Sequence, residues 1–377
     1  MAEPRRRIIQ TIPIARVELD EREIRAVEKV LRSGRLRAGR VVEEFEKRFA
    51  RWVGVPYAVA VNSGTAALHL AYQALLAPGD EIIVPDFTFV ATASMALAVG
   101  ARPVFADVDP ATCTLDPADA ARRITRRTRA LAPVHLYGNP AAIGRLTRLA
   151  RKHRLRIIWD AAQAHGAQYR GRDVGSFPDV VCYSFYPSKN LTTAEGGMLT
   201  TSDAKLAATL LLARSHGEES RYLHTRLGFN FRLTDVAAAL GCEQLRKLPA
   251  AIRRRRHNAA TLTRGLRGIP GLELPQAAPD TQHAFNLYTV RVQADRLGIS
   301  RDEFRKALAE RGVETAVHYP RALHQQPLFA GFGDDDDFPS SAELARTVLS
   351  LPVHPALSEQ DLRKMIRSVK EVVGCGA

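Results

Sequence analysis

Two groups of opposite character stand at the ends of two apolar runs. Ile157-Ile158-Trp159 leads into Asp160-Ala161-Ala162-Gln163, and Val180-Val181-Cys182 leads through Tyr183-Ser184-Phe185-Tyr186-Pro187-Ser188 to Lys189. A carboxylate at the end of a buried strand is costly unless a cation or an N–H meets it. A lysine in a tight, partly dry turn can lose its proton and attack an aldehyde. An acid and an amine placed this way suit pyridoxal phosphate, which a lysine holds as a Schiff base while an acid pairs with its ring nitrogen. Each residue also has a plain structural reading: Asp160 as a cap of the following helix, Lys189 as a solvated amine.

Other residues fall into place around this pair. Asn62-Ser63-Gly64-Thr65 precedes the helical run Ala66-Ala67-Leu68-His69-Leu70-Ala71. A small-residue turn opening a helix presents free N–H groups and the positive dipole end, which suits a phosphate, although Ser-Gly-Thr is also an ordinary cap. Ser184, at its strand end, places a hydroxyl where it can reach the same phosphate. Phe89 lies just past another strand end and either stacks on a cofactor ring or packs in the core; Gln163 either bonds the cofactor or faces solvent. Glu195-Gly196-Gly197 permits close backbone approach or simply turns the chain. No Gly-x-Gly-x-x-Gly after a strand, no P-loop and no His-Glu-x-x-His motif occurs, so the other common cofactor signatures are missing.

The elements that must position these residues are legible as an alternating pattern. Strands are predicted at 58–61, 81–84, 103–108, 130–135, 156–159, 180–184 and 198–201, with helices at 117–124, 141–153 and 204–215 between them. Asp116 before Pro117 is a sound helix start, a capping side chain followed by a residue with no N–H to satisfy. Strands alternating with helices predict an α/β domain whose mostly parallel sheet is covered on both faces. Beyond residue 250 the rhythm changes: a basic helix at 251–266, a Gly/Pro-rich connection, a strand at 285–292, a helix at 301–311, a strand at 314–318 and two more helices, the last opened by a Ser358/Asp361 capping box. The expected organisation is a large domain over 1–250 and a smaller α+β domain over 251–377, two units being the natural division of 377 residues.

Composition narrows the setting. Hydrophobic residues make up 46% and charged residues 25%, as in an ordinary soluble protein. The weakly polar stretch 89–101 falls short of the ~20 residues a spanning helix needs, so no membrane segment is expected. The basic start, Met1 to Arg7, is followed by no apolar signal region, and Cys113, Cys182, Cys242 and Cys375 are too scattered for a metal site or a disulfide framework. Both features fit the cytoplasm. The net charge of +14 (54 − 40) comes from arginines spread along the whole chain, which reads as a basic surface rather than a nucleic-acid site. Runs 253–256 and 334–337 read as a solvated helix face and a loop tip.

In this order the motifs resemble the DegT/StrS-type nucleotide-sugar aminotransferases, a branch of the fold-type-I (aspartate aminotransferase-like) pyridoxal-phosphate enzymes. The resemblance runs from about Pro13 to the C-terminus. It rests on Ser33-Gly34-Arg35, Phe45-Glu46, Asn62 to Leu68, Pro103 to Val108 and Pro133 to Gly138, and on Asp160 to Gly166, Ser184-Phe185-Tyr186 with Lys189, and Glu195-Gly196-Gly197-Met198. It implies that Lys189 forms the Schiff base, Asp160 pairs with the ring nitrogen, Phe89 stacks on one ring face and Gln163 contacts the other. Gly64, Thr65, Ala66 and Ser184 would hold the phosphate, joined by Asn230 from a neighbouring subunit, since these enzymes look like homodimers with shared sites. Arg232, His318, Tyr319 and Arg214 resemble positions that touch the sugar nucleotide. Three positions depart from the pattern: Trp159 stands beside the aspartate where an acid is common, Ala194 precedes Glu-Gly-Gly where a glycine is usual, and Ser176-Phe177-Pro178 replaces a Gly-containing turn.

The expected reaction moves an amino group from an amino acid, glutamate above all, to a nucleotide-linked keto-sugar. Lys189 shuttles the proton. Relatives that are dehydratases carry histidine in place of this lysine, and Lys189 argues against that chemistry. Amination of a keto-inositol or another cyclic ketone is the alternative substrate reading, and a non-catalytic regulator on the same scaffold the less favoured one.

Overall fold

The computed structural model describes residues 11–374; the basic segment Met1 to Arg7 and Cys375 lie outside them. Seven strands form the central sheet: β1 (Tyr57–Val61), β2 (Glu81–Pro85), β3 (Arg102–Ala106), β4 (Thr128–Leu131), β5 (Arg156–Asp160), β6 (Val180–Ser184) and β7 (Gly197–Thr201). Their order is β1-β7-β6-β5-β4-β2-β3. β2, β3, β4, β5 and β6 pair in parallel, and β7 alone runs against its neighbours β1 and β6. All seven predicted strands form, the one expected at 130–135 lying at Thr128–Leu131 instead. The run expected at 103–108 ends at Ala106, and Val108–Asp109 joins Thr114–Leu115 in a separate ladder.

The strands read as continuous apolar runs because both faces are buried. Val59, Ile82, Ile158, Val180 and Cys182 point into one core, with the helices Gly64–Leu75 and Ala91–Ala98 above them. Ala60, Ile83, Ile157, Trp159, Val181 and Tyr183 point into the other, with Phe45, Phe49 and the helix Ile143–His153. This is the two-residue alternation of a pleated strand, filled on both sides. At Asp116 the predicted cap forms, its carboxylate accepting from the N–H groups of Ala118 and Asp119.

The smaller unit has a three-stranded sheet in the order Leu272–Glu273, Tyr288–Val292, Val348–Leu351, packed by the helices Arg301–Glu310 and Glu359–Val372. Ser358 and Asp361 form the predicted capping box. Two expectations for this part change. The strand predicted at 314–318 is reduced to one bridge, Ala316 with Ser350, after which the chain leaves the sheet and carries His318 and Tyr319 to the large unit. The helix predicted at 251–266 begins at Asp235 and runs 32 residues to Leu266, with Pro249 inside it. The expected division after residue 250 therefore falls within a helix that both units share.

Candidate active site

The carboxyl ends of β1, β2, β5 and β6 converge on one cleft of about 620 Å³, whose far wall comes from the smaller unit. A crevice at this edge of a parallel sheet is where α/β folds bind ligands. Nine residues singled out in the sequence line it: Gly64, Thr65, Phe89, Asp160 and Gln163 from the central part of the sheet, then Ser184, Lys189, His318 and Tyr319.

Asp160 ends β5 with its carboxyl group buried. It accepts hydrogen bonds from Thr92 Oγ1 at 2.9 Å and from the Ala162 N–H at 3.0 Å. Burial pushes its pKa up, more strongly than these bonds and the nearby Lys189 charge pull it down. Lys189 sits in a turn closed by its own N–H on the Tyr186 carbonyl, 2.9 Å. Burial lowers the pKa of its amine, and the Asp160 charge opposes this. The cleft thus holds an acid short of a counter-charge and an amine pressed toward its nucleophilic free base. A protonated pyridine ring and an aldehyde supply what each lacks, so these residues fit pyridoxal phosphate.

The opposite end of the cleft is built for an anion. Ser63 caps the helix Gly64–Leu75, its Oγ accepting from the Ala66 N–H at 3.0 Å. The first-turn N–H groups of Gly64 and Thr65 have no partner within the helix and face the cleft. Ala66, expected to share in this cradle, already spends its N–H on Ser63, so the available donors are those of Gly64 and Thr65. Two glycines bring the helix start against the sheet. A Cβ on Gly64 would lie 2.7 Å from Ser184 Cβ, and one on Gly197 would lie 2.4 Å from the Ser63 carbonyl oxygen. This contact puts the Ser184 hydroxyl beside the helix N-terminus.

Aromatic and amide groups shape the space between. Phe89 is 53% exposed at the rim, its ring centroid 6.1 Å from that of Tyr319. Gln163 is held at both ends: its Oε1 accepts from the Tyr137 N–H at 2.7 Å and its Nε2 donates to Tyr319 Oη at 3.2 Å. The Tyr137 hydroxyl in turn donates to the His318 carbonyl. Gln163 therefore couples the large unit to the His318-Tyr319 wall. Burial and the Lys189 charge lower the pKa of the His318 ring, which favours its neutral form.

Besides Ala66, three sequence candidates lie outside this cleft. Arg214 is half-buried in an ion pair with Glu46, and it also donates to the Ala60 carbonyl at 2.7 Å. That pair braces the helix Arg40–Val53 against β1, away from this chain's own cleft. Arg232 donates to Ser215 Oγ at 2.9 Å, and Asn230 is exposed, pairing with Ser215 through its backbone. The departures find local explanations. Trp159 is fully buried, stacks on His135 at 5.3 Å and donates from Nε1 to the Pro178 carbonyl at 2.5 Å, so the unusual turn and the unusual residue support each other. Ala194 takes a left-handed φ of 67°, a conformation that favours glycine. Sequence reasoning missed Thr92 and Tyr137, which meet the site only through the fold, and the run 253–256, expected as a solvated helix face, instead buries Arg255 in the cleft wall. Among the described residues there is no cluster able to hold a metal, and no helix long and apolar enough to cross a membrane.

Comparison with known proteins agrees with this geometry. The DegT/DnrJ/EryC1/StrS aminotransferase family matches residues 17–370. The dTDP-3-amino-3,4,6-trideoxy-alpha-D-glucose transaminase of Streptomyces venezuelae is 43% identical over 349 residues, covering 92% of this chain and 90% of its own. The UDP-N-acetyl-3-dehydro-alpha-D-glucosamine 3-aminotransferase of Acidithiobacillus ferrooxidans is 41% identical over 347 residues, covering 92% of each. Among solved structures, that of DesV from S. venezuelae in complex with a ketimine intermediate superposes with a TM-score of 0.90 at 42% identity, covering 93% of this chain and 94% of its own. The chain therefore belongs to the DegT/DnrJ/EryC1/StrS aminotransferase family, enzymes that work with pyridoxal phosphate on the fold-type-I architecture.

Proposed function

We propose that this enzyme moves an amino group from glutamate to a nucleotide-linked keto-sugar in amino-sugar biosynthesis, as a cytoplasmic homodimer with shared sites. One observation carries the reading: a half-buried amine and a buried acid line one cleft whose other end is a helix N-terminus without side-chain obstruction. Bound pyridoxal phosphate supplies an electron sink for the carbanion formed at the donor's α-carbon. The chain's residues do the rest. Lys189 tethers the cofactor and, once released, carries the proton off and onto the reacting carbon as general base and acid. Asp160, held by Thr92 and Ala162, keeps a proton at the ring nitrogen. Gly64, Thr65 and Ser184 grip the phosphate, Phe89 and Gln163 flank the ring, and His318 and Tyr319 face the sugar.

The dimer proposal rests on what a single chain leaves open. Tyr222 and Leu227 are 79% and 71% exposed on the segment that ends at Asn230, and Phe89 stands uncovered at the cleft rim. A second copy laid over this face would cover the apolar side chains and bring its Asn230 and Arg232 to the phosphate and the substrate. The two relatives' names both place the amino group at carbon 3, so that position is the first to test.

The test is a screen of keto-sugar nucleotides with glutamate, run on wild-type protein and Lys189→Ala. Turnover confined to the wild type, with borohydride trapping a pyridoxyl adduct on the peptide containing Lys189, is the expected result. Turnover retained by Lys189→Ala overturns the assignment.

A further inference from the structure

Transamination requires one cleft to receive two anions in turn, an amino acid and a nucleotide sugar. Once Lys189 is joined to the cofactor, few charges remain there. His318 and His354, which both face the cleft, have lowered pKa values, that of His354 to about 4, chiefly through burial. Arg255 is then the one permanent cation among the described residues lining the cleft.

Its setting is unusual. Arg255 projects from the long shared helix and is only 6% exposed. Its Nη1 donates to the carbonyls of Phe285 and Asn286, 3.2 Å each, while its Nε has no acceptor. Among the described residues no carboxylate lies within ion-pair distance of it. Burial pushes its pKa down to about 10, against the opposing pull of the Glu18 charge, so it stays charged at neutral pH with no carboxylate in direct contact. An unpaired buried guanidinium is costly, and a bound carboxylate relieves that cost through charge-assisted hydrogen bonds. Beside it, Asn286 donates to the Ser188 carbonyl at 2.9 Å and to Asn190 Oδ1 at 3.3 Å, tying the Arg255 contact to the residues on either side of Lys189.

We propose that Arg255 is the residue that receives a carboxylate of the amino-acid donor, and so assigns this part of the cleft to the donor half of the cycle. The proposal rests on the transaminase reading above. A structural role, tying the long helix to the 285–286 turn, is the competing explanation, and the nucleotide's diphosphate is the competing ligand.

The experiment uses the cofactor-loaded enzyme and two kinds of unreactive probe: glutarate, a dicarboxylate without an amine, and dTDP, UDP and GDP in turn. Dissociation constants are measured by calorimetry for wild type, Arg255→Gln and Arg255→Lys, with glutamate's conversion of the cofactor to its amine form followed spectroscopically. The expected result is at least a tenfold rise in the glutarate and glutamate constants for Arg255→Gln, about 1.4 kcal/mol or more, as for a lost charge-assisted bond. Arg255→Lys falls between, and nucleotide binding stays at its wild-type value. Loss of nucleotide binding with glutarate binding retained overturns the proposal, as does a parallel loss of both or an unchanged glutarate constant. A wild-type cofactor that responds to no amino acid would instead remove the transaminase reading itself.

Discussion

Replacing Gly64 by alanine tests how the phosphate end of the site is built. The new Cβ would lie 2.7 Å from Ser184 Cβ and 3.2 Å from Ser184 Cα and Oγ. Carbon atoms pack at about 3.5–4.0 Å, so the helix start and the strand end must separate by close to 1 Å. The strand end cannot yield easily, because Ser184 is paired to Gly197 in the ladder. Overpacking of this kind costs ~1–3 kcal/mol, offset by the ~0.4–1 kcal/mol that alanine gains over glycine in the unfolded chain. A net loss of about 1–2 kcal/mol in stability follows. The larger effect falls on the cofactor: moving the helix N–H groups of Gly64 and Thr65 away from Ser184 removes at least one charged hydrogen bond, about 1.5–3 kcal/mol, or roughly 10- to 100-fold in affinity. Pyridoxal phosphate titration by fluorescence quenching, with melting of the cofactor-free protein as control, measures both. Wild-type cofactor affinity in Gly64→Ala would refute the reasoning. So would a loss of affinity matched by unfolding of the cofactor-free protein.

Three further outcomes are expected. Asp160→Asn should lower turnover roughly 100-fold or more, because an amide cannot hold the ring proton, while the fold keeps its melting temperature. Loss of the melting transition together with turnover would make Asp160 a structural cap instead. Arg214→Met leaves Glu46 buried without its cation and should cost ~3 kcal/mol in urea unfolding without changing the KM for the sugar nucleotide. A raised KM at unchanged stability would return Arg214 to the substrate. His324 is bonded to Asp86 at 2.6 Å and Asp335 at 2.8 Å; burial alone would lower its pKa, but these bonds raise it to about 9. A raised histidine stabilises the fold fully below about pH 6.5 and loses that contribution as pH rises through about 9. The full shift corresponds to ~3.4 kcal/mol, and the water-exposed Asp335 end discounts it to about 2 kcal/mol. Urea titrations between pH 6 and 10 should show this decline in wild type and a flatter profile in His324→Gln.

The fold was legible where burial imposes a local pattern and obscure where distant residues pair. All seven sheet strands could be read because apolar runs between amphipathic helices have few other solutions. The chemistry of Asp160 and Lys189 could be read because each charge ends such a run. The strand expected at 314–318 failed because alternation supplies no continuous partner: the Glu314 N–H donates to the Ile12 carbonyl and Ala316 bridges Ser350, and the chain then turns toward the cleft. The true start of the long helix was hidden by Pro249, which ordinarily ends a helix and here is held by packing on both sides, with Leu248 and Ile252 in the core. The Arg214–Glu46 pair was hidden because its partners stand 168 positions apart and nothing local announces them. The same holds for Gln163 between Tyr137 and Tyr319, and for His324 on Asp86, 238 positions apart.

Pro249 also carries a mechanical consequence. Lacking an N–H, it leaves the Leu245 carbonyl without its usual partner one turn back. The rod that spans both lobes is therefore one backbone hydrogen bond short at that turn, upstream of Arg255. A flexing motion that admits one reactant and expels the next would concentrate there. Such a bend would move the guanidinium and the wall bearing His318 relative to the sheet edge holding Asp160.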